Sequence, residues 1–260
     1  MALLTPCTAG ATPDVFRRQP RQARHDGFTL VELAVVVAVI ALLLGSLLVP
    51  LTTQVEQRNV AHTDVQLEEI REALLGFAMV NGRLPRPANS ITDGSERALC
   101  ATAQDCTGYL PWVALGVRKT DAWGKMFRYS VSPDFANAIF NLSTTLANAK
   151  TVQTRDSGGA LVSLATNLPA VVLSYGANNF GTSDDGTAIA NSSATNIDEQ
   201  NNDSQFNTCT TSPVTPPCST FIGRQVATNT SAAGGDFDDR LVWVSANLLF
   251  NRMVTAGKLP

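Results

Sequence analysis

The chain is poor in the residues that carry most enzyme chemistry. Its 260 residues include only two histidines, and His62 is the only one beyond residue 27. A Ser-His-Asp or Cys-His arrangement would have to be built around that one imidazole. His62 lies in a polar, helix-forming stretch and reads as a solvent-facing helix position. The sequence has no phosphate-loop glycine pattern, no G-x-S-x-G and no H-E-x-x-H. It has no C-x-x-C pair and no histidine beside its cysteines, which excludes the common zinc sites. Basic charge is scarce as well. Nineteen Lys and Arg stand against 22 Asp and Glu, a net charge of −3, so there is no basic face for nucleic acid. None of the signatures present points to an enzyme.

What the chain does have is one long apolar run, Gly27 to Leu51, reading GFTLVELAVVVAVIALLLGSLLVPL. A helix needs about 20 apolar residues to cross a bilayer core. The run carries one acid near its start, Glu32, and a carboxylate inside a membrane helix costs roughly 2.5–3.5 kcal/mol on insertion scales. Such a residue calls for a partner charge in a helix assembly. A secretory signal peptide has a shorter apolar core and a small-residue cleavage site. This run is longer and ends at Pro50 without one, and an ordinary signal anchor has no use for Glu32. The segment before it holds Arg17, Arg18, Arg21 and Arg24. Basic flanks stay cytoplasmic, which directs the rest of the chain into the periplasm.

Gly27, Phe28, Thr29, Leu30, Val31, Glu32 and Leu33 together resemble the processing motif of the type IV prepilin family, which includes the type II secretion pseudopilins. Asp26 stands where a basic or neutral residue is usual. The resemblance implies cleavage between Gly27 and Phe28 by a prepilin peptidase and N-methylation of Phe28. It implies that Glu32 pairs with the amino terminus of a neighbouring Phe28 in a filament. It also implies further partners: other pilin or pseudopilin subunits, an inner-membrane platform and an assembly ATPase. The resulting division is a leader at 1–27, a membrane and filament-core helix at 28–51, an amphipathic continuation at 52–82, and a periplasmic domain at 83–260.

Five cysteines are present. Cys7 falls in the leader, leaving Cys100, Cys106, Cys209 and Cys218. An even number in an oxidising compartment points to disulfides, and four cysteines allow three connectivities. The two local pairs, Cys100–Cys106 and Cys209–Cys218, are favoured as loop staples.

Along the continuation, Leu67, Ile70, Leu74 and Phe77 share one helical face. Pro50 should bend the helix, and Asn81-Gly82 should end it. Residues 126–131 alternate as a half-buried strand. Residues 135–166 are weakly patterned. Ala170–Gly176 is a strong apolar strand, and Leu241–Val244 is a last strand. A short helix follows, capped at Ser245 and stopped at Gly257. Residues 177–217 are rich in Asn, Ser, Thr, Asp and Gly and read as one long exposed loop. Trp112, Trp123 and Trp243 read as core. The expectation is an α+β, pilin-like fold, a long N-terminal helix packed on a small antiparallel sheet. The turn-and-strand segment DAWGKMFRY, Asp121–Tyr129, resembles a D-P-W-G turn of the major pseudopilin, with Ala122 in place of proline. SYGANNFGTSDDG and DFDDRLVWVS resemble that protein's later strand and acidic loop more weakly.

The one cofactor the chemistry admits is calcium, which takes 6–8 oxygens from loops. The pseudopilin resemblance implies it near a C-terminal loop, where Asp236, Asp238 and Asp239 form an acidic cluster. The alternative there is a solvated acidic turn with Asp239 paired to Arg240 or another basic residue. The function implied is a filament subunit. The alternative is a membrane-anchored binding or adhesion module using the loop near 177–217.

Overall fold

The computed structural model describes residues 27–146, 149–209 and 218–259, with side chains left aside over residues 45–51. Residues 1–26 of the expected leader (1–27) and Pro50's side chain therefore lie outside it. The chain divides into two compact units, Met1–Leu51 and Thr52–Pro260.

In the first unit the helix α1 (Leu30–Asn81) begins. Leu30, Val31, Leu33, Val35–Val37, Val39, Ile40 and Leu42–Leu44 are all exposed. A helix apolar all round has no face for water and needs lipid or other helices around it. Among the described residues no helix is long and apolar enough to cross a membrane. The described apolar side chains run 15 residues, Leu30 to Leu44, and the remainder of the expected span lies outside.

The second unit is an α+β domain. Its part of α1 buries Thr63, Gln66, Leu67, Ile70, Leu74, Leu75 and Ala78. The stripe drifts from the expected one at its end. Leu75 and Ala78 go inward, and Phe77 stays half-buried beneath the Arg83 guanidinium, 5.5 Å from its ring centre. Gly82 ends the helix at φ +72°, its N–H closing on the Ala78 carbonyl.

Two sheets follow instead of the single one expected. The first has four antiparallel strands: β1 (Thr107–Tyr109), β2 (Arg128–Val131), β5 (Ala170–Ser174) and β7 (Arg240–Val244) in the order β1-β2-β5-β7. The second runs β4 (Leu161–Leu168), β3 (Lys150–Arg155) and β6 (Thr220–Ile222), with β3 and β6 parallel. Short helices α2 (Trp112–Leu115) and α3 (Pro133–Ala136) punctuate the connections. The C-terminal helix α5 (Ala246–Thr255) follows Ser245 and stops at Gly257, φ +67°.

Successive side chains of a strand point to opposite faces, and here both faces of the first sheet are covered. Phe127, Tyr129, Val131, Ala170, Val172, Val242 and Val244 join α1, Leu249 and Met253 in the main core. Val171, Leu173 and Tyr175 join Val152, Leu168, Phe206 and Phe221 in a second core. That is why β5 is a continuous apolar run. It is also why β2 is buried at every position, not half-buried as its alternation predicted. On the second face of β2, Arg128 is buried between the rings of Tyr109 and Phe206, at 4.4 and 5.1 Å. It donates to the Phe206 carbonyl at 3.1 Å.

The polar segment 177–217 is not one exposed loop. It contains the helix α4 (Ile197–Asn207), whose Asp198, Glu199, Asn202, Gln205 and Phe206 are buried. Residues 210–217 lie outside the described residues. The three tryptophans are half-buried; Trp243 packs against the second core, and Trp112 and Trp123 join neither. Trp112 lies under the Lys119 ammonium, 5.3 Å from its ring centre, and Trp123 donates its ring N–H to Glu56 at 3.3 Å.

Both disulfides have the favoured local pairing, Cys100–Cys106 and Cys209–Cys218. They close loops of six and nine residues, short enough that each contributes on the order of 2–3 kcal/mol by restricting the unfolded chain. Cys218 also lends its carbonyl to Lys150, 2.8 Å from the ammonium nitrogen. Burial lowers the Lys150 pKa to about 7, against the pull of Asp134.

Candidate functional site

Two places concentrate chemistry, one in each unit. The first is the entry to α1. Gly27, Phe28 and Thr29 are exposed and non-helical, so the Gly27–Phe28 bond lies in open chain just ahead of the first helical residue. Phe28 is 81% exposed. Thr29 caps the helix: its Oγ1 accepts the Glu32 N–H at 3.2 Å, and its carbonyl accepts the Leu33 N–H at 3.1 Å. A threonine followed three residues later by glutamate is the capping-box pattern. It places the Glu32 carboxylate in the first turn, where the helix dipole favours a negative charge. An exposed non-helical peptide bond, an aromatic residue, a cap and one acid therefore open an otherwise apolar helix. The family model for the prokaryotic N-terminal methylation motif matches residues 22–48.

The chain carries the type IV prepilin signature.

That signature covers the N-terminal segment alone. No curated protein and no solved structure matches the chain. Gly27, Phe28 and Glu32 all lie within the matched segment.

The second place is an acidic chamber in the domain, between α4, the loop after β5 and the segment before β7. Asp238 and Asp239 come together there with Glu199, one carboxylate oxygen from each lying within 4.8 Å of the others. Asp236, the third expected member, is turned elsewhere and accepts from Ser193 at 2.9 Å and Thr195 at 3.1 Å. Glu199 takes its place, from a helix that the sequence did not reveal. Asp239 is buried and accepts from the Asn202 side chain at 2.8 Å. It does not pair with Arg240, which makes a two-point contact to Asp64 instead. Burial drives the Asp239 pKa far up, with Glu199 adding to it. Burial, again with Glu199 nearby, pushes the Asp238 carboxyl up to about 7.

The donor set fits a calcium ion poorly. Glu199 Oε2 already accepts from the side chains of Asn179 and Asn196, and its Oε1 accepts the Asp238 N–H. Asp238 Oδ2 accepts the Asn178 N–H at 2.8 Å, leaving its Oδ1 as a buried oxygen without a partner. The backbone carbonyls of Tyr175, Asn178 and Asn179, in the loop after β5, are taken by the Lys125 ammonium. A hard cation needing 6–8 oxygens would have to displace most of these contacts.

The turn that delivers Lys125 is the DAWGK segment. Asp121 Oδ1 accepts the N–H groups of Trp123 and Lys125 at 3.0 and 2.9 Å, and its Oδ2 accepts the Ser174 hydroxyl at 2.6 Å. Gly124 sits at φ +79°, a conformation a side chain disfavours. One carboxylate thus folds the turn and ties it to the end of β5.

Proposed function

We propose that the chain is a structural subunit of a type II secretion pseudopilus or a type IV pilus, with the pseudopilus favoured. The observation that carries this reading is the methylation motif with Glu32 in the first turn of an apolar helix. The precursor is held in the inner membrane by the segment 28–51, N-terminus in the cytoplasm and domain in the periplasm. The arginines before residue 27 support that orientation, and two disulfides suit the oxidising side. A prepilin peptidase removes residues 1–27, and the new Phe28 amino group is methylated. An assembly ATPase and a platform protein then lift subunits into a filament with other pilin-type chains.

In the filament, apolar helices exchange lipid for one another. Lipid tails are as apolar as leucine, so the exchange gives little direction by itself. Glu32 supplies the direction. A carboxylate in such a bundle is costly unpaired and much less so beside an ammonium, and the Phe28 amino group of the next subunit provides one. The DAWGK turn and the strand after it support the pseudopilus over the pilus. The role is structural, without a catalytic centre.

The test is where the processed chain accumulates. Mass spectrometry of sheared surface filaments and of inner membranes from the same cells should find it confined to the envelope. Abundant processed chain in the sheared fraction would make the filament a pilus.

A further inference from the structure

The loop that leaves β5 is built like a cation-binding loop. Gly176, Asn179, Phe180 and Gly181 all have positive φ, at +60°, +32°, +48° and +99°. Left-handed backbone at Asn179 and Phe180 is unfavourable for residues with side chains and persists only where something holds it. This winding turns three backbone carbonyls, from Tyr175, Asn178 and Asn179, towards one point. Convergent carbonyls repel each other unless a positive charge sits among them.

That charge belongs to Lys125. Its side chain is 3% exposed, and its ammonium donates to Tyr175 O at 3.3 Å, to Asn179 O at 2.7 Å and to Asn178 O. All three N–H donors of an ammonium are used. The carboxyl groups of Asp238, Asp121, Asp239 and Glu199 lie around it and only partly oppose the burial that lowers its pKa. The same loop is tied to the acidic chamber by Asn178 N–H to Asp238 and by Asn179 Nδ2 to Glu199. Carbonyls and carboxylates of flexible loops arranged around one positive centre form the coordination shell of a hard metal ion. Here the centre is covalently part of the chain.

We propose that the Lys125 ammonium is a built-in cation that occupies the metal position of this loop, so that the loop folds without free calcium. Removing the ammonium then leaves a vacant, oxygen-lined centre that a divalent ion can fill.

The experiment uses the full chain in detergent, as wild type and as Lys125→Ala, with thermal unfolding followed in chelator and in about 1 mM calcium, the range at which extracellular calcium modules work. The wild type should unfold at the same temperature in both. Lys125→Ala should unfold roughly 10 °C lower in chelator and recover much of that loss in calcium. The wild type needs no variant to fold, and a calcium-dependent rise in its unfolding temperature would overturn the proposal. So would an alanine variant as stable as the wild type. A destabilised variant that calcium does not rescue would overturn it too, since Lys125 would then be an ordinary buried hydrogen-bond donor.

Discussion

Asp198→Ala will destabilise the domain by about 3–5 kcal/mol, the cost of breaking a buried charge network by removing its shared partner. Asp198 is fully buried at the first turn of α4. Its Oδ1 accepts from Arg155 Nη2 at 2.6 Å, and its Oδ2 accepts from Arg155 Nε at 2.8 Å and Arg224 Nε at 2.7 Å. Two guanidiniums from β3 and from the segment after β6 thus share one carboxylate. Without it they face each other across a cavity, and α4 loses its charged link to β3 and to the segment after β6, keeping only the neutral bonds of Asn202 and Gln205 to β6 and the residue before it. Gly234 shows how tight the site is, because a Cβ there would lie 2.0 Å from Asp198 Oδ2. Urea unfolding followed by tryptophan fluorescence measures the effect. Glu68→Ala serves as the contrast. Its bridge to Arg71 lies on the exposed face of α1, and such pairs contribute roughly 0–1 kcal/mol. If the two variants lose the same small amount, α4 is not held through Asp198.

Glu32→Ala will leave the precursor in the membrane and sharply reduce its assembly. The helix entry itself should survive, since Thr29 Oγ1 is bonded to the backbone N–H of residue 32 and not to the carboxylate. The carboxylate and its stem are lost, while the capped backbone remains. If pairing with a neighbouring ammonium contributes about 1.4–2.8 kcal/mol per subunit contact, polymer yield falls on the order of 10- to 100-fold. Glu32→Gln keeps the shape without the charge and should show the same defect. Membrane fractionation and quantification of the polymer read the two effects separately. Normal polymer in both variants would remove Glu32 from assembly.

How much of this the sequence revealed depended on how each element is buried. Ala170–Ser174 was legible because β5 is apolar on both faces, and Cys100–Cys106 because its partners are close in the chain. The helix α4 was not legible, since its buried face is polar. Asp198, Asn202 and Gln205 keep helical spacing, but apolar periodicity does not count them. Each is satisfied from outside the helix: Asp198 by two arginines, Asn202 by the backbone of Ile222 at 2.7 and 2.9 Å, and Gln205 by the N–H groups of Ser219 and Thr220. The strand β4 was missed for the opposite reason. Leu161, Val162 and Leu164 are exposed at the edge of a sheet, so no alternation marks an inner face. The acidic chamber was half legible. Asp238 and Asp239 are adjacent, whereas Glu199 lies 39 positions before Asp238, inside the unread helix. Lys125 read as a turn residue, because nothing local shows that three carbonyls from beyond β5 converge on it.

On the proposed function, the working chain begins at Phe28. The direct measurement is mass spectrometry of the N-terminal peptide of the chain purified from its native membranes. The expected result is a peptide starting at Phe28 with a methylated amino group, and no peptide from residues 1–27. A chain that retains residues 1–27, or one cut at another bond, would contradict it.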